Sequence, residues 1–288
     1  ASTDNSLDIL YQYAEKDERV KVFALKENRG QAHARNVGLS HATGDYIGFV
    51  DSDDWLSRDA LEKVCESFRD DVDSVLFRVL YAYPDGRMRD YEMSPFTTMT
   101  GDEAFRASLT WQIHGCYVVR NSIHMAHPYD ESQRAYSDDN TTRIHYYYSR
   151  KVAYCEGVYY YRQQPVSTTH SVSVRRFDFL LANESMRRQL LSLGASEENL
   201  RCYETVRWLN LVGVYMFYYL HRNELSLTDR QHGLSVMYHV WHTINIKQVS
   251  RSIRCKFGYM PPRFSWSLFR LQEELYFWLR GLVGKNRE

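Results

Sequence analysis

The first half of the chain alternates short apolar runs with amphipathic stretches, and the second half is periodic at helical spacing. Ser2 or Thr3 is placed to cap a helix over about residues 4–14, with Leu7, Leu10, Tyr13 and Ala14 on its apolar face. Val20, Val22 and Ala24 alternate as a strand, and a polar loop then leads into a helix over about 31–42. Tyr46, Ile47, Phe49 and Val50 read as a buried strand that follows Gly44, a natural helix C-cap, and ends in carboxylates. A strand apolar on both faces is typical of parallel sheets. Ser57 opens the next helix, with Asp59 in its first turn and Ala60, Leu61, Val64 and Phe68 facing inward. Residues 72–83 form another strand, and Pro84-Asp85-Gly86 a tight turn. This rhythm predicts an α/β domain of three layers with a mostly parallel sheet.

Further along, Thr100 and Glu103 have capping-box spacing for a helix to about 109. A strand is expected over 114–119, a helix from Ser137 to about 149, and short strands over 152–154 and 158–161. From Ser173 the pattern becomes helical over 174–193, 197–221 and 227–245, with an amphipathic stretch over 264–283. The organisation expected is a sheet domain over 1–170 and a helical extension over 171–288.

Composition narrows the function classes. Among 288 residues, 36 Lys and Arg balance 36 Asp and Glu, so the chain lacks the positive field that favours nucleic acid. The 23 tyrosines can line sugar-binding surfaces or pack with a polar edge exposed. Five scattered cysteines show no metal-ligand spacing and suggest a reducing compartment. No signal peptide is visible, and the most apolar helical run, residues 208–220, is too short to span a bilayer. A cytoplasmic protein is expected. Arg251, Arg254, Lys256 and Arg263, broken by Pro261-Pro262, precede a helix carrying Trp266, Phe269, Tyr276, Phe277 and Trp278. That combination suits peripheral contact with the inner face of the membrane, or docking on protein.

The candidate chemistry starts at the acidic end of the 46–50 strand. Asp51, Asp53 and Asp54 repel one another unless something positive joins them. A hard divalent cation held by a diphosphate would do so, with Asp51 and Asp53 as a D-x-D pair of ligands. Ligands in such sheets bind beyond the carboxyl ends of strands. The plainer alternative is an acidic loop with helix caps. Asn28, Arg29 and Gly30, with Arg35 and Asn36, form a second cluster. Gly30 permits unusual dihedrals at a helix start, where free amides suit phosphate and Arg35 could reach the same anion. The alternative is a capped surface helix with a solvated Arg, and His33 and His41 read as solvent-facing. Asp138 and Asp139 are either dipole-favoured helix caps or the place where an attacking hydroxyl gives up its proton. His114, Arg162 and His170 flank the segments on either side, and His170 offers a nitrogen ligand for the metal.

Taken together, Ser2-Thr3-Asp4-Asn5-Ser6 and residues 27–56 strongly resemble family 2 glycosyltransferases. Residues 137–142 and 158–162 resemble acceptor-side segments of the bacterial polysaccharide-synthesising members. The resemblance covers roughly residues 1–170. It implies the GT-A fold, a Rossmann-like α/β domain. It also implies transfer of a sugar from a nucleotide donor, often a UDP-sugar, with inversion, to a saccharide or lipid-linked acceptor in cell-surface polysaccharide synthesis. On this resemblance Asp51 and Asp53 match the motif that holds Mg²⁺ or Mn²⁺ with the donor diphosphate. Arg35 and Asn28 to Gly30 lie along the nucleotide-sugar, and Asp138 matches the catalytic base, with Asp139 as the alternative. Asn140, Thr141 and Thr142 help shape the acceptor pocket. Family members more usually carry Glu where Ser137 stands, and carry two strands before the Ser-Thr-Asp segment. The resemblance therefore implies an N-terminally truncated GT-A domain, with a non-catalytic binding or assembly module as the rival reading. A nucleotidyltransferase would want a Gly-rich, Lys-bearing loop that is not seen here.

Overall fold

The computed structural model describes residues 1–132, 136–164, 172–255 and 264–286. The sheet half runs α1 (Ser6–Lys16), α2 (Gln31–Ser40), β1 (Tyr46–Gly48), β2 (Trp55–Leu56), α3 (Ala60–Ser67), β3 (Ser74–Ala82), β4 (Met88–Asp90) and β5 (Thr98–Thr100). It continues through α4 (Gly101–Leu109), β6 (Tyr117–Arg120), α5 (Asn121–Ala126), α6 (Ser137–Tyr148) and β7 (Lys151–Arg162). After a 3-10 turn over Val174–Phe177 come α7 (Asp178–Ser192), α8 (Glu197–His221), α9 (Leu227–Thr243), α10 (Arg251–Arg254) and α11 (Trp266–Leu282).

The spine of the sheet is β3, whose side chains alternate with the two-residue period of a strand. Val75, Phe77 and Val79 face α3 through Ala60 and Val64. Leu76 faces the opposite layer, Ala104 of α4 and Tyr146 of α6. The strand order is β1-β6-β3-β7-β2. The long β3–β7 pair is parallel, and the shorter pairs joined to it are antiparallel. The two short strands expected over 152–161 are one strand, β7, which stays continuous past a register shift opposite Leu76 and Arg78.

Helix placement follows local chemistry. Thr100 accepts from the Glu103 amide while the Glu103 carboxylate accepts from the Thr100 amide, so both halves of the capping box form. Gly101 starts α4 against the end of α6, where any Cβ would collide with the carbonyl oxygens of Ser149 and Tyr146. That close approach fixes how α6, with Asp138 and Asp139 in its first turn, leaves the sheet.

Four expectations are corrected. The strand over Val20 to Ala24 does not form, because no strand among the described residues pairs with it. The 46–50 segment is not a central strand buried on both faces; β1 pairs only with β6, antiparallel, at the end of the strand order, and Val50 is exposed. None of the α1 residues is buried, so Leu7, Leu10, Tyr13 and Ala14 form a face without a covering layer among the described residues. Leu61, expected inward, is exposed, because only Ala60 and Val64 of α3 reach the sheet.

The helical half packs on α4 and α6. Phe105, Leu109, Ile144, Met186, Leu190 and Tyr203 form one cluster across the two halves. The boundary expected at residue 170 lies outside the described residues. Beneath this layer, α7, α8, α9 and α11 enclose a core of Leu180, Leu211, Met237 and Phe269. Arg207 of α8 is fully buried and paired with Glu184 and Glu204, and donates to the Thr243 hydroxyl at 2.7 Å. A buried cation needs such partners, because an unpaired one would cost several kcal/mol. Phe269, Glu273 and Phe277 are the buried residues of α11, whereas Leu268, Leu271, Leu275, Trp278 and Leu282 face out. Among the described residues no helix is long and apolar enough to cross a membrane.

Candidate active site

A cavity of about 470 Å³ opens between β3, the segment that follows β1, the segment that leads into β6 and the start of α6. Phe49, Asp51, Val79, His114, Asp138 and Asp139 are among the residues that line it. The group that ties it together is Arg35 of α2. Its guanidinium donates to Asp51 at 2.7 Å and faces Asp138 at 3.5 Å. It also lies over the rings of Phe49, at 4.5 Å, and Tyr129, at 5.3 Å. Burial works against the Arg35 charge, but Tyr129, Asp138 and Asp51 outweigh it and hold its pKa up. Asn36, one residue on, clamps the Tyr129 loop to α2: its side chain donates to the Tyr129 carbonyl and accepts from the Tyr129 amide, both at 2.9 Å.

The three acids after β1 divide. Asp54 is engaged by the Tyr159 hydroxyl at 2.8 Å and by the Arg162 amide at 2.8 Å. Burial pushes its carboxyl up, while those two hydrogen bonds act the other way. Asp54 is therefore a structural acid, and the joining of all three carboxylates by one cation is not supported by this geometry. Asp51, half-buried and paired with Arg35, and Asp53, exposed on the turn, remain as two hard oxygen donors. Among the described residues no group of three or more His, Cys, Asp or Glu converges on one point. The donor chemistry of Asp51 and Asp53 fits Mg²⁺ or Mn²⁺ if the remaining ligands come from phosphate oxygens and water. His170, expected as a nitrogen ligand, lies outside the described residues.

Asp138 and Asp139 occupy the first turn of α6, as their spacing implies, and both face the cavity. Asp138 is turned to Arg35. Burial pushes the Asp139 carboxyl up to about 6; Arg143 opposes this and Asp138 adds to it. The residue before the helix, Tyr136, has φ 62°, and Trp111 on the cavity rim has φ 58°. Left-handed backbone at bulky residues is costly and clusters where a site demands it. His114 is buried and its Nε2 has no partner among the described residues, while burial holds its pKa down at about 4.

The Asn28–Gly30 turn stands apart. The Asn28 side chain accepts from the Gly30 amide at 3.0 Å, and Gly30 has φ 91°, a conformation that favours glycine. These residues line a different cavity, of about 990 Å³, with Arg175 and Asp178. Gln31 links this turn to the acidic cleft through a 3.4 Å hydrogen bond to Asp51, and Glu131, which lines the same outer cavity, accepts from Asn36 at 2.8 Å. Arg162 does reach the cleft edge, donating to the Asp53 carbonyl at 2.7 Å. Sequence reasoning missed the roles of Phe49, Tyr129 and Tyr159. The signal for Tyr159 was its inward place in an alternating strand, which leaves its hydroxyl needing a buried partner.

Comparison with known proteins gives this geometry a context. The pattern of Glycosyl transferase family 2 matches residues 1–126. An uncharacterized glycosyltransferase of Haemophilus influenzae is 53% identical over 62 residues, 22% of this chain and 25% of that protein. A poly(ribitol-phosphate) beta-glucosyltransferase of Bacillus spizizenii is 51% identical over 61 residues, 21% of this chain and 10% of that protein. The chain thus matches about a quarter or less of the length of these curated relatives. The crystal structure of S. aureus TarS 1-349 in complex with UDP-GlcNAc superposes with a TM-score of 0.73 at 18% identity, over 99% of this chain and 81% of that one. That likeness shows a shared GT-A fold.

Proposed function

Through residues 1–126 the chain belongs to glycosyl transferase family 2, and on that premise we propose that it transfers a sugar from a UDP-sugar to a saccharide or lipid-linked acceptor of a cell-surface polysaccharide, with inversion. The observation that carries this reading is Arg35, which joins Asp51 on the donor side to Asp138 on the acceptor side of one cavity. Relatives named for ribitol-phosphate glucosylation and a fold relative holding UDP-GlcNAc agree with the substrate class.

In this mechanism Asp51 and Asp53 would hold a Mg²⁺ or Mn²⁺ ion, which when bound neutralises the leaving diphosphate. Arg35, pinned between two rings and two carboxylates, places a second positive charge where the diphosphate oxygens gain charge. Asp139 accepts the proton of the acceptor hydroxyl as its oxygen bonds to the anomeric carbon and the carbon–phosphate oxygen bond breaks. The geometry favours Asp139 over Asp138 as base. A carboxyl held near pH 6 is a better proton acceptor, and Asp138 is spoken for by Arg35. Asn28 and Gly30 take the outer, nucleoside end of the donor, reached past Gln31. The helices after residue 172 form a second unit that backs α4 and α6, and the outward apolar face of α11 is the surface for peripheral membrane contact at the inner leaflet. The test is UDP release from UDP-sugars with an acceptor extract, comparing the full chain with Asp139→Asn. Release by the full chain that the substitution removes supports the reading, and equal release by both sinks it.

A further inference from the structure

A second cavity, of about 1000 Å³, lies between α4, α8 and the segment that follows α9. Its wall carries Arg106, Arg201, Lys247, Arg251 and Arg254 against one carboxylate, Glu103. Glu103 is occupied by its own cap, accepting from Thr100. Arg106 and Arg201 have Glu198 and Glu197 beside them, at 3.5 Å and 3.3 Å. Lys247, Arg251 and Arg254 have no carboxylate partner among the described residues, and the buried Nε of Arg254 has no hydrogen-bond partner there. Such a concentration of uncompensated cations in a concave wall focuses a positive field.

The fold holds this wall in place. The Ser250 amide donates to the Thr205 hydroxyl at 2.9 Å, the Asn245 amide donates to Glu204 at 3.0 Å, and Val249 is buried. Glu204 belongs to the buried Arg207 network, so the basic segment is anchored to the core. Sequence pattern left Arg251 and Arg254 to either membrane contact or docking on protein; the structure places them in the wall of this cavity.

Position supplies the second argument. Thr110 and Gln112 line the basic cavity, while Trp111 between them lines the acidic cleft. The two cavities lie on either side of one left-handed residue, whose carbonyl accepts from the Tyr91 hydroxyl at 2.5 Å. The donor diphosphate already has its place at Asp51, Asp53 and Arg35. A chain whose reacting hydroxyl sits at Asp139 and which continues past Trp111 enters the basic cavity.

Resting on the sugar-transfer reading, we infer that this cavity binds a phosphate group of an anionic acceptor chain, so that the acceptor is a phosphate-bearing glycan or polyol polymer. Arginine forks suit phosphate oxygens bidentately, and Ala107, Val206 and Leu209 offer apolar surface to the carbon backbone between phosphates.

The experiment titrates a fluorescent polyol-phosphate oligomer into the full chain, beside a uronate oligomer and a neutral glucan of equal length. It is repeated for Lys247→Ala/Arg251→Ala and for the triple variant adding Arg254→Ala. UDP titration and thermal melting run in parallel on every protein. The expected result is salt-sensitive binding of the phosphate oligomer that weakens on the order of tenfold or more in the triple variant, with UDP binding unchanged. Unchanged oligomer affinity in both variants, or equal affinity for the neutral glucan, overturns the inference. Tighter binding of the uronate oligomer overturns the phosphate assignment. Failure of UDP to bind the wild-type chain while the oligomer binds strikes the sugar-transfer reading and leaves the anion site standing.

Discussion

Arg35 and Asp51 are joined by a 2.7 Å ion pair between α2 and the end of β1, and the same guanidinium faces Asp138 on α6. One cation thus spans three elements that are distant in sequence. Replacing it by Ala leaves two carboxylates facing the cavity without their counter-charge. Arg35→Ala is expected to lower UDP affinity and turnover by about 100-fold. Arg35→Lys restores little, because an ammonium cannot reach both acids and stack between Phe49 and Tyr129. Calorimetric UDP titration and initial rates check this. Near-normal rates in Arg35→Lys would mean that the fork geometry is unimportant.

The Asp139 carboxyl sets the pH behaviour. Held up to about 6 by burial, it becomes a proton acceptor only above that pH, so kcat/KM is expected to rise with pH to a midpoint near 6 and then level off. Asp139→Asn is expected to lose about 100- to 10,000-fold in rate. The stability consequence has a definite sign. An unfolded Asp ionises near about 4, so between about 4 and 6 the folded chain binds more protons than the unfolded one. Stability therefore falls as pH rises through that window. Melting temperatures of Asp139→Asn should gain on wild type from pH 4 to 6 and hold a constant difference above it.

Asp53 and Asp54 are adjacent but predicted to fail differently. Asp53→Ala should remove the divalent-ion dependence of UDP binding with little change in melting temperature, because its carboxylate sits on an exposed turn. Asp54→Ala should instead destabilise the chain by about 1–3 kcal/mol, because it strands the Tyr159 hydroxyl and the Arg162 amide. Denaturant titration separates the two. Equal destabilisation by both substitutions would contradict the division.

Arg207 offers a test away from the cleft. Arg207→Ala leaves buried Glu184 without a cation and Glu204 with Arg187 alone, and should cost about 3–5 kcal/mol. A double substitution to apolar residues at Arg207 and Glu184 should recover part of that loss, because it removes the acid left without a cation. Chemical denaturation of both variants is the measurement.

What could be read in the sequence was what local chemistry decides. The capping box at Thr100, the long apolar run of β3 and the acidic first turn of α6 each rest on neighbours a few residues away. What could not be read depends on partners far along the chain. The 46–50 run is apolar enough to be central, yet its rank in the sheet is set by β6, some seventy residues later in the numbering. Asp54 looks like its two neighbours until Tyr159 folds against it. Tyr129 carries no motif, and only the Asn36 clamp and the Arg35 contact give it a place in the site.

The most direct test of the account is a titration of UDP into the full chain with and without Mn²⁺, beside Asp53→Ala. The account predicts saturable binding that Mn²⁺ strengthens and that Asp53→Ala uncouples from the ion. Absence of saturable binding, or binding indifferent both to Mn²⁺ and to the loss of Asp53, would contradict it.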